Sequence, residues 1–182
     1  MKKLLLLLAL LATPLVMQVP PLEILKLKTF DYLVPDYEPS GNFVILDITE
    51  EEVRAEGGWP FPRQRLAEIH NQILQNGALG VGWVLSFVDK DRFGGDSEYI
   101  LAVSQSSSSI VATFSFDNQI YPKPTGTVIL GPDVQGIALP GYLPNIEGIS
   151  DNVLEGVVSA PVDIDNLVRR LPLLYQTPDG WA

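Results

Sequence analysis

The chain opens on an unbroken apolar run. Leu4 to Leu11 follow Lys2 and Lys3, and the run continues past Thr13-Pro14 to Val19. A basic stretch ahead of an apolar one is the pattern of an export signal, and lysines kept on the cytoplasmic side send the residues that follow across the membrane. No polar face interrupts Leu4–Leu11, which argues against a buried amphipathic helix. The run is short for a span of about 20 residues, and no Ala-x-Ala cleavage pattern follows it. Residues 1–21 are therefore read as an uncleaved signal-anchor, with a cleaved signal peptide as the alternative. Residues 22–40 are read as a juxtamembrane helix and linker. Leu22, Leu25, Phe30 and Leu33 alternate with Lys26 and Lys28 until Pro35 and Pro39-Ser40-Gly41 break the pattern.

From residue 41 the pattern becomes that of a layered domain. Phe43–Ile48 is a compact β-rich apolar run, expected as a buried strand. Thr49 with Glu52 three residues on is a capping box that predicts a short helix over Glu50–Ala55. Gly57-Gly58 stops it, and the prolines of Trp59–Pro62 force an extended path. Leu66, Ile69, Ile73 and Leu74 recur at helical spacing within Arg63–Asn76, with Gly77 beyond the end. Ala78–Phe87 and Ile110–Phe116 read as further buried strands, separated by a helix that Asp96 would N-cap and that runs to about Gln105. The expected fold class is α/β: a central mixed sheet built on a βαβαβ unit, flanked by helices and closed by a C-terminal hairpin. That hairpin would join Gly156–Ala160 to Leu167–Tyr175 through a tight turn at Asp165-Asn166. Between Asp117 and Gly148 only Thr127–Leu130 reads as a strand. Asp179-Gly180 reads as a turn leading to another strand, so the domain is expected to continue past Ala182.

Composition changes this picture by exclusion. A formal net charge of −10 repels phosphate backbones, so nucleic acid is not an expected partner. The chain has no cysteine, which removes thiol catalysis, thiolate metal sites and disulfides and is compatible with export. His70 is the only histidine; on the apolar side of its helix it reads as a half-buried packing residue rather than a metal ligand or pH sensor. Asp89, Asp91 and Asp96 open like a calcium loop. Phe93 and Ile100 stand where that loop needs ligands, so a solvated acidic loop is expected, with no metal. No nucleophile elbow or phosphate loop is present, and no cofactor is expected.

The motifs at the two ends of the domain resemble those of one family. Gly57–Arg63 (GGWPFPR) resembles the Gly-x-Trp-Pro-x-x-Arg signature of CHASE2 domains. Asp163-x-Asp165-Asn-Leu-Val-Arg169-Arg170-Leu-Pro172-Leu resembles that family's closing signature, and Leu22–Tyr32 resembles its post-anchor segment with Phe30-Asp31. The likeness runs in order from Leu22 to Tyr175. Residues 41–182 are thus read as a CHASE2-like sensor domain. Three positions depart: Thr49 and Trp83 stand where the family usually has acidic residues, and Asn166 stands for the turn glycine.

The resemblance implies an extracytoplasmic, non-enzymatic sensory domain of a bacterial transmembrane receptor, such as a histidine kinase, nucleotide cyclase or serine/threonine kinase. Its partners would be the membrane, through the N-terminal anchor, and an unidentified small-molecule or protein signal. The juxtamembrane helix offers a surface for homodimerisation. Asp47, Trp59, Arg63, Asp96 and Arg169 are the candidate ligand-binding residues, weighed against architectural roles: Arg63 in a buried pair at a helix start, and Arg169 in an ion pair to Asp47 or Asp165. A free periplasmic binding protein and a secreted carboxylate-dependent hydrolase are the alternatives.

Overall fold

A computed structural model describes residues 19–106, 108–122 and 136–182. The apolar run up to Gln18 and the expected strand Thr127–Leu130 lie outside the described residues. Among the described residues no helix is long and apolar enough to cross a membrane. The chain divides into two compact units, residues 19–46 with Ala160–Leu171, and Asp47–Ser159 with Pro172–Ala182.

The first unit is built on α1 (Pro20–Leu33), which begins with prolines in its first two positions and ends where Val34 turns extended ahead of Pro35. Leu27 is its buried residue. The other segment of this unit, Ala160–Leu171, carries no strand. Asn166 does take a left-handed φ of 63°, and its N–H bonds the Asp163 carbonyl, so the tight turn at Asp165-Asn166 forms. The flanking apolar runs do not pair across it, and the expected hairpin is absent. The turn is instead fixed by carboxylate–guanidinium bonds described below.

The second unit holds the sheet. Its elements are α2 (Glu50–Ala55), α3 (Arg63–Gln75), β1 (Val81–Trp83), α4 (Asp96–Ser104), β2 (Ser109–Ser115), β3 (Ile137–Ala138), β4 (Tyr142–Leu143), α5 (Glu147–Ser150), β5 (Leu154–Val157), β6 (Tyr175–Thr177) and β7 (Gly180–Trp181). β2 is central: β1 and β5 pair with it in parallel, and β4 pairs antiparallel near its end. A second, small sheet has the order β3-β6-β7, in which β6 and β7 form the antiparallel pair that closes the described chain. The class is α/β, with a parallel-dominated main sheet.

Side-chain alternation explains where the core lies. Val81 and Trp83 of β1 and Ser109, Val111 and Thr113 of β2 are buried, while Gly82 and Ile110 between them are not. Their buried face packs with Leu66 and Ala67 of α3, Tyr99, Ala102 and Val103 of α4, and Ile149 of α5 in one cluster.

Phe43–Ile48 corrects the sequence reading. It takes no regular secondary structure, and Phe43 to Leu46 are exposed. High β-propensity makes a strand only when a neighbour takes its N–H and C=O groups, and no strand among the described residues pairs with this segment. The strand–helix–strand unit that does form is β1–α4–β2. β1 is shorter than Ala78–Phe87 for a related reason: past Trp83 the backbone finds partners outside the sheet. Phe87 N–H donates to Asn145 Oδ1 at 2.6 Å, and the Ile146 N–H donates to the Phe87 carbonyl at 2.8 Å. Asn145, itself buried, also donates through Nδ2 to Glu155 Oε1 at 2.7 Å, an oxygen that receives the Ser150 hydroxyl at 2.7 Å as well. Asn145→Ala would strand the Phe87 N–H and strip the Glu155 carboxylate of a donor. It is expected to lower stability in urea denaturation by about 2 kcal/mol, the usual cost of a buried polar group left unsatisfied.

Candidate functional site

Helix α3 starts without a side-chain cap from its own preceding residue, Pro62, so its first N–H groups need partners from elsewhere. The loop between β1 and α4 supplies one. Asp91 Oδ2 accepts the Arg63 N–H at 2.9 Å and the Gly95 N–H at 3.0 Å, and Asp91 Oδ1 accepts the Phe93 N–H at 3.2 Å. These donors and the nearby Arg63 charge hold the Asp91 carboxyl below the usual carboxylate range despite its burial. A carboxylate at a helix N-terminus also complements the helix dipole. Gly95 is required there, because a Cβ would run into the Gln64 backbone nitrogen.

The Arg63 side chain completes the arrangement. It is 7% exposed, and its guanidinium donates to the Asp96 carboxylate and to the Asp89 carbonyl. It lies over the Phe87 ring, 5.0 Å from the centroid. Asp96 in turn accepts the Asp91 N–H at 3.1 Å. Asp96 is therefore the first residue of α4, with Gly95 in the capping position, and its carboxylate faces Arg63 and the loop. The Asp89–Asp96 loop is laced together by its own N–H groups and Arg63. Among the described residues no three His, Asp or Glu side chains are grouped to hold a metal ion.

Trp59 is 46% exposed and tilts against Phe61 with ring centroids 5.2 Å apart. It is the one candidate here with an aromatic face open to solvent. Asp47 is exposed.

In the first unit, Arg169 is the hub of a four-residue clasp. Its Nε and Nη2 bond both oxygens of Asp31 at 2.7 Å, a bidentate fork. Its Nη1 and Nη2 reach Asp165 at 2.7 Å, and Nη1 reaches Asp163 at 3.1 Å. One guanidinium thus ties the α1 residue Asp31 to both acids of the turn, with Asp165 rather than Asp47 as its turn partner. Hydrogen bonding to Arg169 lowers the Asp31 carboxyl and takes that of Asp165 down to about 2, while the three carboxylates raise Arg169 further above its ordinary value. Arg169 and Arg170 line a hollow of about 80 Å³ with Lys26, Leu27 and Phe30, well below the roughly 300 Å³ at which metabolite pockets begin.

Within the second unit the candidate residues do not form one cluster. Arg63 and Asp96 meet in a buried pair, Trp59 and Asp47 stand at the surface of the same unit, and Arg169 belongs to the other unit. A groove of about 270 Å³ between α3 and α4, lined by Gln64, Asn71, Glu98, Leu101 and Gln105 among others, contains none of them.

Sequence reasoning missed the partners more than the residues. Asp31 was visible only as half of a motif, and Asp91 only as a failed calcium ligand. His70 is 0% exposed rather than half-buried. It accepts the Trp83 indole N–H at Nδ1 at 3.2 Å, stacks on that ring, and meets the Ser109 hydroxyl through Nε2 at 3.4 Å. Tyr99 packs edge-on to Trp83 and against Phe87. Its hydroxyl is buried with no hydrogen-bond partner among the described residues, and burial raises its pKa. Thr49, the other departure from the family pattern, N-caps α2: Glu52 N–H donates to its hydroxyl at 3.3 Å and its own N–H donates back to Glu52 at 2.8 Å. Thr49 and Trp83 are thus both engaged in local hydrogen bonds.

The chain belongs to the CHASE2 domain family, whose model matches residues 4–182. CHASE2 domains are sensory domains of membrane receptors such as cyclases and kinases. No curated protein and no solved structure matches the chain.

Proposed function

We propose that this domain perceives a signal on the outer side of the cytoplasmic membrane and relays it through α1. The family membership carries the sensory part. The Arg169 clasp supports the route: α1 follows the N-terminal apolar run directly, and Asp31 near its end is gripped by a guanidinium that also holds the Asp163–Asp165 turn. A stimulus that favours one arrangement of this clasp biases the helix, and a population shift of that kind is all that transmission requires. The receptor's output would be a kinase or cyclase domain, and the functional assembly a homodimer along α1.

A hydrolase needs two carboxyl groups with pKa values pushed apart, one of them upward. Asp31, Glu52, Asp91 and Asp165 are all displaced downward, by hydrogen bonds to cations or N–H groups. These are held anions, and they favour the sensory reading. Alkaline phosphatase fused after Ala182 tests the side of the membrane: the fusion is expected to be active in cells, and an inactive fusion with a fluorescent cytosolic counterpart would refute the placement.

A further inference from the structure

The buried imidazole stands out once the clasp and the Arg63 loop are accounted for. Trp83 Nε1 can only donate, so Nδ1 of His70 must be the unprotonated nitrogen and Nε2 carries the hydrogen toward Ser109. The site is therefore built for the neutral ring in one tautomer. A second proton would have to enter at Nδ1, where the indole N–H already points, on a ring that is fully buried.

Among the described residues, the elements packed around His70 supply no compensating charge. β1 (Val81–Trp83) and β2 (Ser109–Ser115) contain no titratable group. On α3, Arg63 is bound to Asp96, and Arg65 is shared between Glu56 and Glu68. On α4, Asp96 is engaged with Arg63, Glu98 lines the outer groove, and Tyr99 packs on Trp83 and Phe87. The charged residues of α2, Glu50 to Glu52 and Arg54, are exposed. Burial is accordingly the one influence on His70, and it lowers its pKa from the ordinary value of 6.5.

We infer that the His70–Trp83–Ser109 contact is an acid-responsive latch between α3 and the β1–β2 edge, which makes protons a stimulus this domain reads. The inference rests on the sensory reading above. The sign of the latch follows from linkage. The unfolded chain takes up the histidine proton near pH 6.5, the folded chain only at lower pH. The stabilisation is complete above about pH 6.5 and is lost as pH falls below it, with the unfolding equilibrium constant rising by up to about tenfold per pH unit until the folded-state value is reached. The displaced carboxyl groups contribute only as pH falls toward their unfolded values of 3.8 to 4.5, and they do so equally in wild type and in a His70 variant.

The test is a pH series from 8 to 4.5 on the full chain. It combines urea unfolding with NMR observation of the Trp83 indole N–H and the His70 ring, in wild type and His70→Gln. Glutamine keeps an acceptor for the indole and a donor for Ser109 without titrating. The expected result is a wild-type unfolding constant that climbs below pH 6.5, a shifting Trp83 indole signal, and a flat response in the variant over pH 5–6.5. An equal slope in His70→Gln would overturn the latch. Should the variant not fold, the wild-type ring decides alone: an ordinary pKa near 6.5, or a proton already on Nδ1 at pH 8, would overturn it too. Because the readout is the domain's own titration, its failure leaves the placement outside the membrane untouched, and a failed phosphatase fusion leaves the titration untouched.

Discussion

Arg63→Ala is expected to destabilise the second unit by about 3–5 kcal/mol, the range found when one partner of a buried ion pair is removed. The guanidinium is the donor for the Asp96 carboxylate and the Asp89 carbonyl, and it covers the Phe87 ring. Alanine leaves Asp96 held only by the Asp91 N–H and opens a gap over the ring. Arg63→Lys keeps one charge but has no fork to reach both acceptors, so it should recover part of the loss and no more. Arg63→Met is the informative third variant. If the pair contributes mainly by being complete, methionine will behave as badly as alanine, because Asp96 stays unpaired. Chemical denaturation of the three variants checks this, and a loss below about 1 kcal/mol for alanine would mean that the pair is effectively solvent-screened.

Arg169→Ala is expected to free α1 while leaving the second unit folded. Three carboxylates converge on this guanidinium, so without it Asp31, Asp163 and Asp165 repel one another across the same space. A 14-residue helix with little buried surface of its own is marginal in water. Amide exchange in Pro20–Leu33 and proteolysis at the Asp163–Arg169 turn should both accelerate, roughly tenfold or more, as the helix approaches its isolated equilibrium. Exchange in β2 should not change. The clasp should also weaken on acidification, but only as pH falls through the depressed carboxyl range, about 2 for Asp165. Near neutral pH it is insensitive to pH, unlike the His70 latch.

What could be read from the residues divides by range. The short helix Glu50–Ala55 was legible to its ends because the Thr49–Glu52 capping box is a local device, complete within four residues. The amphipathic α3 and its stop at Gly77, which takes a φ of 93°, were equally local. Ile110–Phe116 was legible as a strand because β-branched and aromatic residues crowd a short apolar run, which the structure uses as Ser109–Ser115. Phe43–Ile48 carries the same signal and is no strand, since pairing depends on a neighbour that composition cannot name. The Leu167–Tyr175 run misled in the same way: Arg169 is held by side-chain bonds to Asp31, 138 residues away in sequence, and not by a ladder.

The candidate site was legible in part for the same reason. Arg63 and Asp96 were both singled out, yet their pairing across 33 residues and the role of Asp91 between them needed coordinates. His70 was misjudged as half-buried because helical periodicity gives a face but not the depth of the contact beneath it. Its indole partner lies 13 residues on, at a position where the family pattern led to the expectation of an acid.

The most direct test of the account is the output of the full-length gene product in membranes, compared between wild type and Arg169→Ala, with Arg169→Lys as the partial restoration. A domain that signals through the clasped helix predicts an output that no longer responds to its stimulus in the alanine variant and responds partially in the lysine variant. An alanine variant regulated as fully as wild type, with α1 shown to be released, would contradict it.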